Sequence, residues 1–107
     1  MKLYGIKNCN SVKKAMLALE QFNFEFLDIK KINKNILDLW LKQKSFEELV
    51  NTAGTTAKKL ILTKEKLKSL SKEELETLIL ENPSVIKRPV IEFKNQIFVG
   101  KEYEKLL

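Results

Sequence analysis

The residue best suited to chemistry in this sequence is Cys9, the only cysteine among 107 residues. The segment before it, Lys2 to Ile6, predicts a short strand. The apolar residues from Val12 to Leu19 recur at helical spacing and predict a helix after it. A thiol at such a strand-to-helix turn meets unpaired N–H groups and the positive end of the helix dipole. Both lower the pKa of a thiol below its ordinary value of about 8.5 and favour the reactive thiolate.

Polar and cationic residues flank Cys9 in the sequence. Asn10 and Ser11 are good helix-capping residues and are expected at the helix N-terminus, where anions bind. Lys7 precedes Cys9, and Lys13 follows it by one helical turn, so both favour an anion at this place. A lone cysteine is also commonly a small, inert buried residue. The residues around Cys9 leave both interpretations open.

Composition bounds the class of protein. The length fits one small domain, and 44% hydrophobic residues favour a folded chain. A single cysteine excludes an internal disulfide, and no apolar stretch is long enough to span a membrane. We therefore expect a soluble cytoplasmic protein without a membrane partner. Because histidine is absent and one cysteine cannot form a thiolate cluster, we predict no metal site and no bound cofactor.

The basic residues are almost all lysine. The formal net charge is +6, and 19 of the 20 basic residues are lysines. Nucleic-acid readers favour arginine for bidentate contacts, so direct nucleic-acid binding is not predicted. The one arginine, Arg88, stands directly before Pro89 and a predicted strand. It is a weak candidate for a place that needs a planar, forked donor.

The remaining sequence predicts an α/β protein with a helical block in its middle. Residues Phe24 to Ile29 alternate like a strand, and strand, helix and strand in 30 residues imply a parallel pair. A block of short helices is predicted from Asn33 to Asn82. Strands at Val90 to Phe93 and Gln96 to Val99 are predicted to form a hairpin. Glu102 to Leu107 is predicted to be a short final helix.

Capping signals divide the helical block into its elements. Ser45 with Glu48, and Ser71 with Glu74, each match the capping box that opens a helix. Thr63 is expected to cap a further helix between them.

Four motifs in this order resemble the arsenate reductase family in its glutaredoxin-coupled branch, which includes Spx-type regulators and YffB-type reductases. The motifs are Tyr4 to Cys9, Asn51 to Thr56, Ile86 to Pro89, and Val99-Gly100. The resemblance covers essentially the whole chain, and the Tyr4 to Cys9 opening is most similar to the YffB-type group. It implies one thioredoxin-like domain over residues 1–107, a mixed sheet flanked by helices, with a helical insertion at about residues 33–82.

The resemblance also implies roles for individual residues. Cys9 would be the catalytic nucleophile, and Arg88 would bind an oxyanion or a thiol partner beside it. Pro89 would be a cis proline opposite the cysteine, and Lys13, at a position where the family carries a cation, would help to hold an anion with Asn10 and Ser11. The implied function is a single-cysteine thiol oxidoreductase. Its mixed disulfide or oxyanion adduct would be resolved by an external thiol, namely glutathione, glutaredoxin or thioredoxin.

Departures from the family pattern bear on two alternative functions. Ala53 stands where arsenate reductases usually carry an arginine that clamps the oxyanion, and no arginine follows Gly100. Both departures argue against arsenate as the substrate. Lys58 or Lys101 would supply only a point charge in place of the forked guanidinium of an arginine. Val12 stands where many Spx-type regulators carry a second cysteine, so an internal disulfide switch is excluded. A regulator that binds RNA polymerase and a true glutaredoxin-coupled arsenate reductase are the two alternatives.

Overall fold

A computed structural model describes all residues, Met1–Leu107, and the chain forms two compact units. The first unit combines Met1–Lys31 with Lys87–Leu107, and the second is Ile32–Ile86. The helical insertion predicted for residues 33–82 falls within the second unit. That both units form one domain stays a prediction. None of the helices has the length and the hydropathy that a transmembrane span requires.

The first unit is built on a mixed four-stranded sheet, which confirms the predicted α/β class. The strands are β1 (Lys2–Gly5), β2 (Glu25–Asp28), β3 (Val90–Phe93) and β4 (Gln96–Val99). Their order across the sheet is β2-β1-β3-β4. The strands β1 and β2 are parallel and are connected through helix α1 (Asn10–Ala18), as the predicted βαβ unit requires. The other two pairings are antiparallel.

The hairpin of β3 and β4 has the predicted two-residue turn. Lys94 and Asn95 both have positive φ angles, 51° and 63°, as a tight hairpin turn of this kind requires. The chain leaves β4 at Gly100, which has a φ of 62°. The final helix differs from its prediction, because it is a 3₁₀ helix that begins earlier, over Gly100–Leu106.

The core of the first unit lies between α1, the sheet and the final 3₁₀ helix. Its buried members are Leu3, Val12, Ala15, Leu19, Ile91, Phe98 and Tyr103. Val12, Ala15 and Leu19 form the inner face of α1 and its C-terminal end, as their helical spacing predicts. Cys9 packs against this core at its margin.

The second unit is helical. Its helices are α2 (Lys34–Leu41), α3 (Phe46–Leu49), α4 (Thr55–Lys59), α5 (Lys64–Ser69) and α6 (Lys72–Glu81). Both predicted capping boxes are present, at Ser45 and at Ser71, and the Thr63 hydroxyl accepts from the Lys66 N–H. One isolated antiparallel bridge between Val50 and Ile86 closes the unit.

Candidate active site

Cys9 occupies the N-cap position of α1. Its backbone is extended, with φ −87° and ψ 125°. The Cys9 N–H donates to the Ile6 carbonyl at 3.1 Å, and the Cys9 carbonyl accepts from the Lys13 N–H at 3.0 Å. The thiol is therefore fixed between the end of β1 and the first turn of the helix.

The capping role predicted for Asn10 and Ser11 is wrong. Both residues are exposed members of the first helical turn, and no side chain makes a capping hydrogen bond. The reason is the short turn after β1. Because Ile6 closes that turn on the Cys9 N–H, the extended N-cap position falls on the cysteine.

The pKa of the Cys9 thiol is lowered by its surroundings. Partial burial opposes ionisation of the sulfur. This effect is outweighed by a hydrogen bond from the Val12 N–H and by the hydrogen bond and the charge of the Arg88 side chain. The Ser11 N–H adds to the same effect. These are the donors that a helix N-terminus leaves without an intrahelical partner. Cys9 therefore carries more thiolate near neutral pH than an ordinary cysteine does.

The sheet register brings Arg88 to Cys9. Tyr4, near the end of β1, pairs with Val90, the first residue of the antiparallel β3. The residues that follow β1 and those that precede β3 therefore meet at one edge of the sheet. The Arg88–Pro89 peptide bond is cis, and the buried Pro89 carbonyl accepts from the Gly100 N–H at 2.8 Å.

A depression of about 240 Å³ lies beside Arg88 and Pro89 and is here called the Arg88 depression. Its walls are formed by Asn10, Ser11, Lys14, Arg88, Pro89, Gly100, Lys101, Tyr103 and Glu104. Of the predicted anion-binding residues, Asn10, Ser11 and Arg88 come together here. Three cationic side chains face this small volume against one carboxylate, so it suits an anionic group.

Lys14 and Lys101 are lining residues that the sequence reasoning did not select as site residues. Lys14 could have been found, because it follows Ser11 by three residues and so shares its helix face. Lys101 also had a signal, because it directly follows Gly100, where the resemblance marks it as a point charge in place of an arginine. Lys13, which was predicted, instead lines a separate groove with Lys7. Ala53 and Lys58 belong to the second unit.

The arrangement of Cys9, Arg88 and the helix N–H groups supports nucleophilic chemistry at sulfur. A thiolate attacks disulfide or other electrophilic atoms, and the fixed guanidinium can hold an anionic reactant or leaving group beside it.

Comparison with known proteins gives the family. A family model described as the ArsC family matches residues 4–107, so the chain belongs to that family. The chain is 36% identical to an uncharacterized protein of Haemophilus influenzae, over 95% of this chain and 94% of that protein. It is 26% identical to the global transcriptional regulator Spx 2 of Bacillus cereus, over 97% of this chain and 82% of the regulator.

Solved structures show the same fold. A YffB protein superposes with a TM-score of 0.82 at 34% identity, over 97% of this chain and 96% of that chain. An arsenate reductase (ArsC) related protein from Brucella melitensis superposes with a TM-score of 0.75 at 33% identity, over 98% and 91% of the two chains. These likenesses confirm the predicted thioredoxin-like fold and the resemblance drawn from the four motifs.

Proposed function

We propose that this protein is a thiol oxidoreductase that works with a single cysteine. The observation that carries the proposal is the position of Cys9 at the N-cap of α1, where the helix N–H groups and Arg88 lower the pKa of its thiol. Membership of the ArsC family and the likeness to an arsenate reductase (ArsC) related protein support a thiol-dependent reductase. The chain has no second cysteine, so the thiol that completes the cycle comes from another molecule.

The proposed cycle has two exchange steps. The Cys9 thiolate attacks one sulfur of an oxidised disulfide substrate, a Cys9 mixed disulfide forms, and the other half leaves as a thiolate. An external thiolate then attacks the substrate sulfur of the mixed disulfide and releases Cys9 as a thiolate. The low pKa of Cys9 favours this second step, because a thiol of lower pKa leaves faster. Glutathione, glutaredoxin and thioredoxin are the proposed external thiols, and no resident cofactor is needed because they supply the electrons.

Arg88 is proposed to stabilise the negative charge that develops on sulfur in both steps. Its charge and its hydrogen bond act on the Cys9 sulfur, and the Pro89 carbonyl, which accepts from the Gly100 N–H at 2.8 Å, holds the segment at the sheet edge. Asn10, Ser11 and Lys14 are proposed to contact the anionic groups of the reactant through the Arg88 depression.

The pH dependence of alkylation tests the proposal. The rate of Cys9 alkylation by iodoacetamide should rise with a midpoint below about 8.5, the ordinary thiol value. Arg88→Ala should move the midpoint upward, because it removes a charge and a donor from the thiolate. Lys87→Ala is the matched control, since it removes a neighbouring cation that does not contribute to the shift. A wild-type midpoint at or above about 8.5 would remove the chemical basis of the proposal.

A second candidate function is transcriptional regulation, which the likeness to the regulator Spx 2 favours. The proposed partner is RNA polymerase. Because Val12 occupies the place of a second cysteine, such a role would not depend on an internal disulfide. Capture of RNA polymerase from cell extract by both the wild type and Cys9→Ser supports this candidate, and capture by neither contradicts it.

Reduction of arsenate is the third candidate, supported by membership of the ArsC family. An arsenate adduct on Cys9 needs several fixed donors on its oxygens, and Arg88 is the only arginine in the chain. Arsenate-dependent oxidation of thiols in the presence of glutaredoxin tests this candidate.

A further inference from the structure

A groove runs along the outer face of α1 in the first unit and is here called the α1 groove. Its volume is about 720 Å³. It is lined by Lys7, Lys13, Met16, Leu17, Glu20 and Phe24. It is separate from the Arg88 depression, with which it shares no lining residue.

The α1 groove begins at residues that are close to Cys9 in the chain, and Cys9 itself does not line it. Lys7 lies in the turn between β1 and Cys9, and the Lys13 N–H donates to the Cys9 carbonyl at 3.0 Å. Lys13, Leu17 and Glu20 follow one another at helical spacing, so the groove extends from the cysteine toward the C-terminal end of α1. A molecule lying in this groove would therefore have one end near the Cys9 backbone.

The groove has an apolar floor and an ordered pattern of charge. Met16 and Phe24 are half-buried and pack against the core, whereas Leu17 is 70% exposed and adds nothing to it. The two cations lie at the end near Cys9, and the one carboxylate, Glu20, lies at the other end. A large apolar side chain exposed between charged groups is a common feature of interaction sites.

We propose that the α1 groove docks a cysteine-bearing segment of an acidic partner protein. This proposal rests on the proposed function, because it identifies the chemistry of the oxidised substrate or resolving thiol. The partner's carboxylates would lie against Lys7 and Lys13, close to its own cysteine, and a large apolar side chain would cover Leu17. Charge complementarity would orient the segment so that its sulfur meets Cys9.

Two other occupants fit the groove less well. A second copy of this chain would bring four lysines and only two glutamates into the same interface, which leaves positive charge uncompensated there. A small thiol such as glutathione has carboxylates but no large apolar side chain for Leu17. Both occupants are distinguished by the experiment.

The experiment uses three short synthetic peptides, each with one cysteine linked to thionitrobenzoate. The first carries two glutamates beside the cysteine and a phenylalanine beyond them. The second has lysines in place of the glutamates, and the third has serine in place of the phenylalanine. Cys9 attacks the peptide sulfur, a Cys9–peptide disulfide forms, and the coloured thionitrobenzoate anion leaves.

At low ionic strength the first peptide should react about tenfold faster than either of the others, because only it matches both the charges and the apolar floor. Hydroxyethyl disulfide, which is small and neutral, gives the reference rate. In Leu17→Glu, the ratio of the first peptide's rate to the reference rate should fall about tenfold, since a charge then occupies the apolar floor. Ile61→Glu is the matched control, because Ile61 is 68% exposed and does not line the groove.

The possible outcomes separate the two proposals. Equal rates for the three peptides, or equal ratios in Leu17→Glu and Ile61→Glu, would overturn the docking site. A third peptide as fast as the first would also overturn it, because charge alone would then suffice, as for a small anionic thiol. Dimers of the wild type that Leu17→Glu abolishes would assign the groove to a second copy instead. Failure of the proposed function would appear differently, as slow reaction with every disulfide and an ordinary alkylation midpoint.

Discussion

Cys9 occupies the N-cap position of α1 and carries the one thiol of the chain. N-cap positions are usually filled by serine, threonine, asparagine or aspartate, whose oxygen accepts an N–H of the first turn. Here the position is held by a thiol, and α1 has no side-chain capping hydrogen bond. The same Ser11 and Val12 N–H groups that a capping oxygen would use instead lower the pKa of the sulfur. The helix thus lacks a side-chain cap, and its first N–H groups stabilise the Cys9 thiolate instead.

The missing side-chain cap predicts a difference in stability between two variants at position 9. Cys9→Ser supplies a capping oxygen and Cys9→Ala does not, so at pH 6 the serine variant should be more stable by about 1 kcal/mol. Urea denaturation under reducing conditions measures the difference in the free energy of unfolding. Equal stability of the two variants would show that the Ser11 and Val12 N–H groups gain nothing from a capping oxygen.

The wild type should show a further dependence on pH. Because the pKa of Cys9 is lower in the folded than in the unfolded chain, the thiolate contributes stability that is fully present above the unfolded value of about 8.5. That contribution is lost as the pH falls through the folded pKa. The wild type should therefore gain stability relative to Cys9→Ser between pH 6 and pH 9.5, and a constant difference would contradict the lowered pKa.

At the scale of elements, the predictions that succeeded depend on neighbouring residues. The capping boxes at Ser45 and Ser71 join residues three positions apart, and the hairpin turn at Lys94-Asn95 joins adjacent strands. One prediction that failed, a cap at Asn10 and Ser11, depended on where the preceding strand ends. After that end, the Ile6 carbonyl closes the turn on the Cys9 N–H, a hydrogen bond that sequence spacing does not show.

Gly5 of β1 lies directly against Val12 of α1. A Cβ atom at Gly5 would lie 2.8 Å from both Cγ atoms of the fully buried Val12. Gly5→Ala should therefore destabilise the fold by about 1–3 kcal/mol, the range for an overpacked core. The loss is measured as a shift of the urea midpoint without a change of slope.

A double-mutant cycle with Val12→Ala controls for the loss of other contacts. Val12→Ala alone should also destabilise the protein, because it leaves a cavity in the core. Combined with Gly5→Ala it should cost less than the sum of the two single changes, since the smaller side chain makes room for the added methyl group. Additive losses would place the cost of Gly5→Ala somewhere other than the contact with Val12.

At the scale of the whole molecule, local signals in the sequence made Cys9 a candidate reactive residue but did not place the residues around it. Those signals left open whether the thiol is reactive or an inert buried group. Arg88 could be joined to it only through the family resemblance, because the register that pairs Tyr4 with Val90 is a long-range property of the sheet. The sequence offers Lys101 only as a point charge in place of an arginine after Gly100, and does not place it beside Arg88, where it lines the depression.

The net charge of +6 should act on the exchange reaction as well. Several cations lie around the thiol: Lys7 and Lys13 line the α1 groove, and Lys14, Arg88 and Lys101 line the Arg88 depression. Such a field raises the local concentration of anionic reactants. Oxidised glutathione, an anion, should therefore exchange with Cys9 about tenfold faster than the cationic disulfide cystamine at low ionic strength.

Salt distinguishes this field effect from intrinsic reactivity. The screening length is about 30 Å at 0.01 M salt and about 3 Å at 1 M, so the ratio of the two rates should fall toward its intrinsic value as salt is added. Mass spectrometry of the Cys9 adducts measures both rates, and neutral hydroxyethyl disulfide corrects for changes in the reactivity of the thiolate itself. A ratio near one at low salt, or a ratio that salt does not change, would mean that the surrounding cations do not select the reactant. In that case the choice of thiol would depend on direct contacts in the Arg88 depression and the α1 groove.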